Sequence, residues 1–535
     1  MQRWIGTVRR QADLLAALGV GLAALTLYIR TLAPDLLFGD SAEFQALAYL
    51  LGITHTTGYP VYLLSGKIFG TLLPIGTFAY RMNLLSAIFA ALTLTGIYLL
   101  IRIVTRSRWG AVLGCAVLGL APSFWSQAVI AEVYTMATVV ITWSTYCLFR
   151  WLEQPNRQKW LLSCVLILGL GVHTVAELAV PVVGILVLWR LAGLHLPARK
   201  WVRPLGLAVL GGAIGAAIFF GAFYLCDRLT NPPASFLNVT LIPSRSLWGA
   251  TSADLDTFWE RVYHTVFSLQ WGGALFSGDP AYMAKESGKY FGTLTGRDFS
   301  LLGLGLGLLG LGFTLRRKPK FAVYLFLSFL ITLFFIVNYK VGSKYVFYLA
   351  TYIQMAVLIG VGSGVIFETI QIWLLERTPG WTSGAGYVAA VVILTLALLS
   401  PRLAEAGDAI KAGKATFFKD DDYTYPLKDL GLPRRTAEDI LRIAPQNTLL
   451  LMDWRALYAA VYLANVEQDR RDLTFREASP YPSPGRLPDT LVAEVKAALA
   501  AGRPVFADNT YQNLRDHFNL RPVPGMSRYI QLLPK

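Results

Sequence analysis

The densest group of polar side chains in this 535-residue sequence lies in one segment near its N-terminus. That segment, LAPDLLFGDSAEFQALAYLLGITHTTGYPVY, contains Asp35, Asp40, Glu43 and His55. A carboxylate can act as a general base, and a helix dipole favours negative charge in the first helical turn. A helical pattern follows over Ser41–Leu51. We therefore expect one of the two acids, Asp40 or Glu43, to deprotonate a hydroxyl acceptor while the other orients the acceptor or binds a cation.

The same two acids also fit a structural role. Asp40 follows Gly39 and precedes the helical pattern, as an N-cap residue does. Glu43 then falls in the first turn, where it would complete a capping box. The residues alone leave both roles open.

The elements that must position these acids are apolar. The sequence is 55% hydrophobic and only 15% charged, whereas soluble proteins carry roughly a quarter charged residues. Runs such as Leu14–Ile29, Val202–Leu225 and Phe321–Val337 approach the roughly 20 residues that cross a bilayer. Their backbone groups must pair internally, so they form helices. Carboxylates at the mouth of a membrane bundle are costly unless they serve a function, which favours chemistry for the first segment.

The net charge of +15 indicates membrane topology and not a nucleic-acid partner. Its basic residues cluster in short turns, around 102–108, 150–159, 190–203 and 316–320, and the intervening turns carry few. This alternation is the positive-inside pattern. It places the N-terminus inside the cell.

The hydropathy pattern predicts an all-α polytopic membrane bundle of about eleven transmembrane helices over residues 1–401. The predicted helices lie near 12–32, 80–103, 109–121, 129–149, 160–172, 177–192, 202–226, 299–315, 320–338, 345–375 and 384–401. Eleven crossings place loops 33–79 and 227–298 and the C-terminal tail outside the cytoplasm. The membrane is the plasma membrane if the protein is prokaryotic, or the endoplasmic reticulum if it is eukaryotic.

Residues 402–535 are predicted to form a small soluble α/β domain outside the cytoplasm, because strand-like and helical patterns alternate there. The predicted strands are Thr448–Met452, Leu473–Arg476 and Val505–Ala507, and the predicted helices are Arg455–Val466 and Pro488–Ala501.

Sugar transfer from a lipid-linked donor fits this arrangement, because the lipid tail needs a bundle and the donor phosphate needs polar groups at the outer face. We predict that Arg81, His173, Lys340 and Lys344 bind the donor and that Glu132 contributes a functional acid. Each has a structural alternative. Arg81 can snorkel at a helix start, the two lysines can lie in a solvated turn, His173 can be a packing residue, and Glu132 can be a cap.

Five stretches of this sequence resemble a membrane family long filed as a domain of unknown function. They are GDSAEFQALAYLLGITHTTGYPVYLLSGKIF, RMNLLSAIFAALT, WSQAVIAEVYT, GLGVHTVAEL and WGATSADLDTFWERV. The family usually has two prolines where this sequence has Thr56 and Thr57. It is similar to the glycosyltransferase-C superfamily and includes eukaryotic enzymes that O-mannosylate receptor ectodomains.

The resemblance implies an inverting transferase that takes a sugar, such as mannose, from a polyprenyl-phosphate donor. It makes Asp40 the catalytic base with Glu43 assisting, and it places His55 and Tyr59 in the same site. The acceptor would be a protein Ser or Thr hydroxyl, a lipid or a glycan. The protein itself would also contact membrane lipids. Asp40 and Glu43 are too few oxygen ligands for a tight metal site, so we predict no obligatory metal and leave a divalent cation open.

Two other functions stay open from the sequence. A transporter or flippase of lipid-linked saccharide would use the carboxylates as a proton or ion site near mid-membrane. The polar residues instead gather in loops and at helix ends, which argues against it. A receptor or scaffold would bind its partner through the outer α/β domain.

Overall fold

Helices make up most of the protein, and one small sheet lies near the C-terminus. The computed structural model describes residues 2–193, 201–342, 344–377, 380–416, 425–483 and 485–535. The helices up to the middle of the chain are α1 (Gln2–Arg30), α2 (Gly39–Leu50), α3 (Pro60–Leu72), α4 (Phe78–Val104), α5 (Arg108–Gly119), α6 (Pro122–Ala128), α7 (Tyr134–Glu153), α8 (Lys159–Leu168), α9 (Thr174–Glu177), α10 (Val180–Ala192) and α11 (Val202–Tyr224). They are followed by α12 (Phe258–Val266), α13 (Pro280–Thr293), α14 (Ser300–Arg317), α15 (Pro319–Asn338), α16 (Tyr345–Arg377) and α17 (Trp381–Ala412).

Seven stretches of helix within the described residues are long and apolar enough to cross a membrane, or up to nine if two bent helix pairs each count as one span. The bent pairs are α5 with α6 and α13 with α14. Two of the eleven predicted spans are not among them. The span predicted at 129–149 corresponds to α7, which is rich in Thr, Ser and Tyr, and the span at 160–172 corresponds to α8, which has 10 residues. The prediction of an integral membrane bundle is therefore supported, and the count of eleven helices stays a prediction.

The last long helix extends further than its sequence pattern indicated. We predicted an end near residue 401, but α17 continues to Ala412 with Pro401 inside it. It stops where Gly413 adopts a left-handed conformation, with φ of +66°, and its backbone N–H caps carbonyls of the last turn. Glycine takes this conformation without steric cost, which is why it ends so many helices.

The sheet is built from β1 (Leu449–Met452), β2 (Thr474–Glu477), β3 (Val505–Ala507), β4 (Asn519–Val523) and β5 (Met526–Leu533), interspersed with α18 (Leu432–Ile443), α19 (Trp454–Tyr462), α20 (Asp489–Ala500) and α21 (Leu514–His517). The strand order is β2-β1-β3-β5-β4. The first three strands, at the positions predicted from the sequence, pair in parallel. The hairpin of β4 and β5 was not predicted, although Gly525 in its turn has a φ of +75°.

One face of this sheet is closed by α20, whose Leu491 and Val495 are buried in a core with Leu449, Leu451 and Val505. The burial of these side chains holds the strands in register.

The carboxyl ends of β1, β2 and β3 meet at the same edge of the sheet because the three strands are parallel. We call this the carboxyl edge, and it carries Asp453, Glu477 and Asp508. Such edges are the usual place for functional groups in α/β folds.

The contacts within the chain divide it into two units. The helical unit comprises Met1–Leu32, Ser86–Ala217 and Ala274–Asp422, and the sheet unit comprises Ala33–Leu85, Ile218–Gly273 and Tyr423–Lys535. The sheet unit thus combines C-terminal residues with residues from both predicted outer loops.

Candidate active site

Asp40 lies in the first turn of α2, and its side chain is 47% exposed. The helix begins at Gly39, where φ is +59°, and the N-cap residue is Phe38. The capping interpretation of Asp40 is therefore wrong, since this residue lies inside the helix. Its Oδ1 accepts a hydrogen bond of 2.7 Å from the indole Nε1 of Trp454, the first residue of α19.

Glu43 lies one turn further along α2 and is fully buried. It does not close a capping box. Its Oε1 accepts a 2.7 Å hydrogen bond from the backbone N–H of His55, and its Oε2 makes a short hydrogen bond with the imidazole Nδ1 of the same residue. Burial raises the pKa of Glu43, and the contacts with His55 offset part of that rise.

The imidazole of His55 connects the two acids. Its Nδ1 meets Glu43, and its Nε2 lies 3.9 Å from Oδ2 of Asp40. A carboxylate at Nδ1 fixes the proton on that nitrogen and leaves Nε2 as the basic atom. Glu43 and His55 are hydrogen-bonded, and Asp40 lies next to His55 at a distance longer than a hydrogen bond. We call these three side chains, which run from a buried carboxyl group to a half-exposed one, the acid relay.

A tight turn between α2 and α3 holds His55 in place. The N–H of Gly58 donates to the carbonyl of His55 at 2.7 Å, and the Tyr59 hydroxyl donates to the carbonyl of Thr56 at 2.7 Å. The rings of Tyr59, Phe44 and Trp454 lie 5.5, 5.8 and 5.8 Å from the imidazole. The structure thus brings together Asp40, Glu43, His55 and Tyr59, four of the nine residues predicted to be functional.

Asp35, on the same segment, has a different environment. Its carboxylate accepts 2.8 Å hydrogen bonds from the Arg434 guanidinium and the Thr77 hydroxyl, and Arg434 also pairs with Glu467. Burial alone would raise the pKa of Asp35, but the bonds from Arg434 and Thr77 outweigh it and hold the pKa below its usual value. Asp35 is therefore part of a structural ion pair between this segment and α18.

The carboxyl edge carries two buried acids. Glu477 accepts a 2.6 Å hydrogen bond from the Thr240 hydroxyl, and burial raises the pKa of Glu477 to about 8. Asp508 accepts from the Tyr511 hydroxyl at 2.7 Å and from the backbone N–H of Asp453 at 2.9 Å, and burial raises its pKa.

Arg81, near the start of α4, is hydrogen-bonded to the turn that precedes this helix. Its guanidinium donates to the backbone carbonyls of Gly70, Gly76 and Thr77. These bonds fix the connection between α3 and α4. The predicted contact of Arg81 with a donor phosphate stays a prediction.

The other four predicted residues belong to the helical unit. Two of them, Lys340 and Lys344, share a partner in Tyr282, whose ring centroid lies 5.2 and 4.5 Å from their ammonium groups. The buried Lys344 donates to the Tyr282 hydroxyl at 2.7 Å and pairs with Glu286 at 3.2 Å. The more exposed Lys340 lies 3.9 Å from Asp279.

His173 and Glu132 are both buried in the helical unit. His173 is the N-cap of α9, because its Nδ1 accepts a 3.1 Å hydrogen bond from the N–H of Val175. The main chain of Glu132 exchanges hydrogen bonds of 3.2 Å with the Ser86 hydroxyl. Their predicted roles toward a donor stay predictions.

Two groups in the structure were not predicted from the sequence. Trp454 follows Asp453 at the end of a predicted strand, a position that could have marked it. In the helical unit, the buried Asp298 accepts hydrogen bonds of 2.9 Å from the Ser123 and Tyr352 hydroxyls, and the adjacent Arg297 donates to Ser123 at 2.7 Å. An adjacent Arg and Asp immediately before an apolar helix was the available signal.

Within the part of the chain that the structure describes, no group of three or more His, Cys, Asp or Glu side chains is arranged to hold a metal ion. The predicted independence from an obligatory metal stays a prediction.

Residues 40–194 match a family described as the protein O-mannosyl-transferase TMEM260 N-terminal domain. The protein O-mannosyl-transferase TMEM260 of Mus musculus is 29% identical over 132 residues, which are 25% of this chain and 19% of that protein. The Dictyostelium discoideum protein of the same description is 22% identical over 472 residues, which are 81% of this chain and 53% of that protein. The chain thus spans about half the length of one relative and about a fifth of the other. The predicted resemblance is confirmed.

Solved structures with a similar fold include two membrane proteins. ArnT from Cupriavidus metallidurans, bound to undecaprenyl phosphate, matches with a TM-score of 0.52 at 14% identity, over 96% of this chain and 97% of that one. The Archaeoglobus fulgidus oligosaccharyltransferase in its apo form matches with a TM-score of 0.52 at 15% identity, over 92% of this chain and 69% of that one. At these identities the likeness concerns the fold, and the expected glycosyltransferase-C-like architecture is confirmed.

Proposed function

We propose that this chain is an inverting membrane glycosyltransferase, which moves a sugar from a polyprenyl-phosphate donor to a hydroxyl acceptor on the extracytoplasmic face. The observation that carries the proposal is the acid relay, in which a half-exposed Asp40 is linked through His55 to the buried Glu43. Two comparisons with known proteins also support the proposal. The relatives are described as protein O-mannosyl-transferases, and one structure of similar fold is bound to undecaprenyl phosphate.

The chemistry assigned to the relay is proton removal from the acceptor. As the acceptor oxygen attacks the anomeric carbon, a carbon–oxygen bond forms, the bond to the donor phosphate breaks, and polyprenyl phosphate leaves. Attack from the face opposite the phosphate inverts the anomeric centre. The acceptor proton goes to the carboxylate of Asp40, which is the group of the relay with the greatest access to solvent.

His55 then takes the proton from Asp40. With Nδ1–H directed at Glu43, the neutral imidazole presents a basic Nε2 toward Oδ2 of Asp40, and accepting the proton gives an imidazolium between two carboxyl groups. This transfer returns Asp40 to its ionised form, and the partly exposed imidazolium then releases the proton to solvent, which restores the relay for the next turnover. In this account Glu43 orients and stabilises His55, which replaces the earlier expectation that Glu43 contacts the acceptor or a cation.

The donor sugar is proposed to be mannose and the acceptor a Ser or Thr hydroxyl of a protein, because both relatives carry that description. The extracytoplasmic location rests on the positive-inside pattern of the loops. The proposed transfer uses no obligatory metal.

The test is transfer by purified protein in liposomes that contain polyprenyl-phosphate mannose with a labelled sugar, together with a Ser- and Thr-containing peptide. We expect label on the peptide and release of polyprenyl phosphate in equal amounts, an outcome that a flippase would not give. Asp40→Asn should lower the rate by about 100- to 10,000-fold, because it removes the base.

Asp35→Asn is the matched control, since it makes the same chemical change on the same segment outside the relay. It should retain most of the activity under conditions in which both variants elute as folded protein. Full activity of Asp40→Asn would remove Asp40 from the mechanism. A wild type that releases no polyprenyl phosphate would contradict the proposed function itself.

A further inference from the structure

Trp454 comes from the C-terminal part of the sheet unit, yet its side chain contacts the proposed base. The indole Nε1 donates a 2.7 Å hydrogen bond to Oδ1 of Asp40 across 414 positions of the sequence. The other carboxylate oxygen, Oδ2, faces His55 at 3.9 Å. The two oxygens of one carboxylate therefore have distinct neighbours.

The indole of Trp454 is confined by neighbouring aromatic rings. Three rings surround it: Tyr458 at 5.3 Å, His55 at 5.8 Å and Phe236 at 6.1 Å between centroids. These contacts come from α19 itself, from the turn after α2 and from the second predicted outer loop. A side chain confined in this way retains one rotamer and loses little further entropy when it makes its hydrogen bond.

The backbone beneath the indole is fixed as well. Asp453 caps α19, because its carboxylate accepts a 3.0 Å hydrogen bond from the N–H of Arg455. The N–H of Asp453 donates to the buried carboxyl group of Asp508 at 2.9 Å, and the N–H of Asp508 donates to the Leu451 carbonyl at 3.1 Å. The carboxyl edge of the sheet thus sets the position from which Trp454 projects.

A further contact joins the start of α19 to the start of α2. The guanidinium of Arg455 lies 5.2 Å from the ring centroid of Phe38, the N-cap residue of α2. Consecutive residues of α19 therefore contact the residue before α2 and the acid in its first turn. The carboxyl edge thus places two side chains against the start of α2. Of these, Trp454 brings no positive charge to Asp40, because an indole N–H is neutral.

We propose that Trp454 is a positioning residue, which fixes Oδ1 of Asp40 and leaves Oδ2 as the atom that takes the acceptor proton. The inference rests on the proposed function, since it assigns the orientation of that function's base. It also gives the C-terminal residues a part in the reaction besides any contact with the acceptor. A neutral donor suits this task because it orients the carboxylate without placing a positive charge beside it.

Trp454→Phe is the decisive variant, because it keeps an aromatic ring among Tyr458, His55 and Phe236 and removes the N–H donor. Trp248→Phe is the matched control in the same unit, because the Trp248 Nε1 has no hydrogen-bond acceptor among the described residues. We expect Trp454→Phe to lower kcat by about 10- to 100-fold, since a base displaced by a fraction of an ångström loses its alignment. KM for donor and acceptor should stay within about twofold, because substrate binding is not what the bond supports.

A second measurement reads the contact without any activity assay. The thermal midpoints of Trp454→Phe, Asp40→Ala and the double variant form a cycle in detergent solution. We expect each single change to lower the midpoint by roughly 1–3 °C and the double variant to fall no further than the less stable single variant. Trp248→Phe combined with Asp40→Ala should give additive shifts.

The two measurements separate the possible failures. Additive shifts for Trp454→Phe and Asp40→Ala would overturn the contact, whatever the enzyme does. Wild-type kcat in Trp454→Phe would overturn the positioning role in an enzyme that transfers sugar. If the wild type transfers no sugar at all, the proposed function fails, a positioning role in that reaction falls with it, and a non-additive cycle still supports the bond.

Discussion

Asp35 and Asp40 lie on one segment of the sheet unit, and each receives a hydrogen bond from the C-terminal residues. Asp35 is bound by the Arg434 guanidinium at 2.8 Å, and Asp40 by the Trp454 indole at 2.7 Å. The first donor carries a positive charge that neutralises its partner, whereas the second is neutral. The first pair is suited to holding two parts of the chain together, and the second is suited to orienting an acid that must still react.

Their remaining neighbours follow the same division. Asp35 also binds the Thr77 hydroxyl, which can donate but cannot take up a proton at neutral pH. Asp40 faces His55, the side chain type whose charge changes near neutral pH, and Glu43 lies behind that imidazole. The number of acids in a segment therefore says little about function. The protonation chemistry of their partners separates a structural acid from a reactive one.

After the loss of Asp40 itself, the largest expected effect in this comparison comes from breaking the relay at its buried end. Glu43 accepts two hydrogen bonds from His55, one from the backbone N–H and one at Nδ1. Glutamine offers only one acceptor atom, so Glu43→Gln should turn the imidazole or change its tautomer. We expect kcat to fall by about 100- to 1,000-fold in the peptide transfer assay.

Glu467→Gln is the control for that change, because Glu467 pairs with Arg434 and lies outside the relay. It should leave kcat close to that of the wild type. A Glu43→Gln enzyme with undiminished kcat would show that proton transfer does not depend on the orientation of His55.

A third acid, Glu477, sharpens the comparison because no guanidinium or imidazole among the described residues is hydrogen-bonded to it. Glu477 is buried with the Thr240 hydroxyl as its hydrogen-bond donor, and burial raises its pKa to about 8. A raised pKa means that the folded state holds the proton more tightly than the unfolded state. Stability linked to this group is therefore complete below pH 4.5, the ordinary value, and is lost as the pH rises to about 8.

Glu477→Gln mimics the protonated form and should not show that loss. We expect the variant to match the wild type near pH 4 and to exceed it by about 4 kcal/mol near pH 8, measured by thermal unfolding in detergent across this range. If the two proteins keep a constant difference in stability from pH 4 to pH 8, Glu477 is ionised in the folded protein and the inference from its burial fails.

The local part of the site could be predicted from the sequence. Asp40 and Glu43 are three positions apart on a helical pattern, which places them on one side of α2, and a short turn returns His55 to that side. Strands β1, β2 and β3 were also predictable, because β1 and β3 are short apolar runs and because apolar and polar residues alternate from Leu473 into β2. The family resemblance identified the same loop.

The partners of the acids could not be predicted from the sequence. Arg434 and Trp454 reach Asp35 and Asp40 across 399 and 414 positions, and no local pattern encodes such a contact. The capping interpretation failed because α2 begins at Gly39, which places Asp40 inside the helix, and because Glu43 accepts its hydrogen bonds from His55. Helix α17 continues past Pro401 to Ala412, so the change in hydropathy near residue 401 did not mark the end of the helix.

The smallest expected effect comes from breaking the structural pair. Asp35→Asn keeps an acceptor for Thr77 but removes the charge that faces Arg434, so we expect a loss of about 1–2 kcal/mol at pH 7. The pKa of Asp35 is lowered in the folded state, so the stability it contributes is present above its unfolded pKa and disappears as the pH falls through its folded value. The gap between wild type and variant should therefore narrow as the pH falls below 3.8, the ordinary value. At neutral pH the wild type should be the more stable protein, whereas Glu477→Gln should be more stable than the wild type near pH 8. The measurement is the thermal midpoint at pH 7 and at pH 3, with kcat at pH 7 from the peptide assay. A normal midpoint combined with a large fall in kcat would place Asp35 among the reacting groups and erase the distinction between the two aspartates.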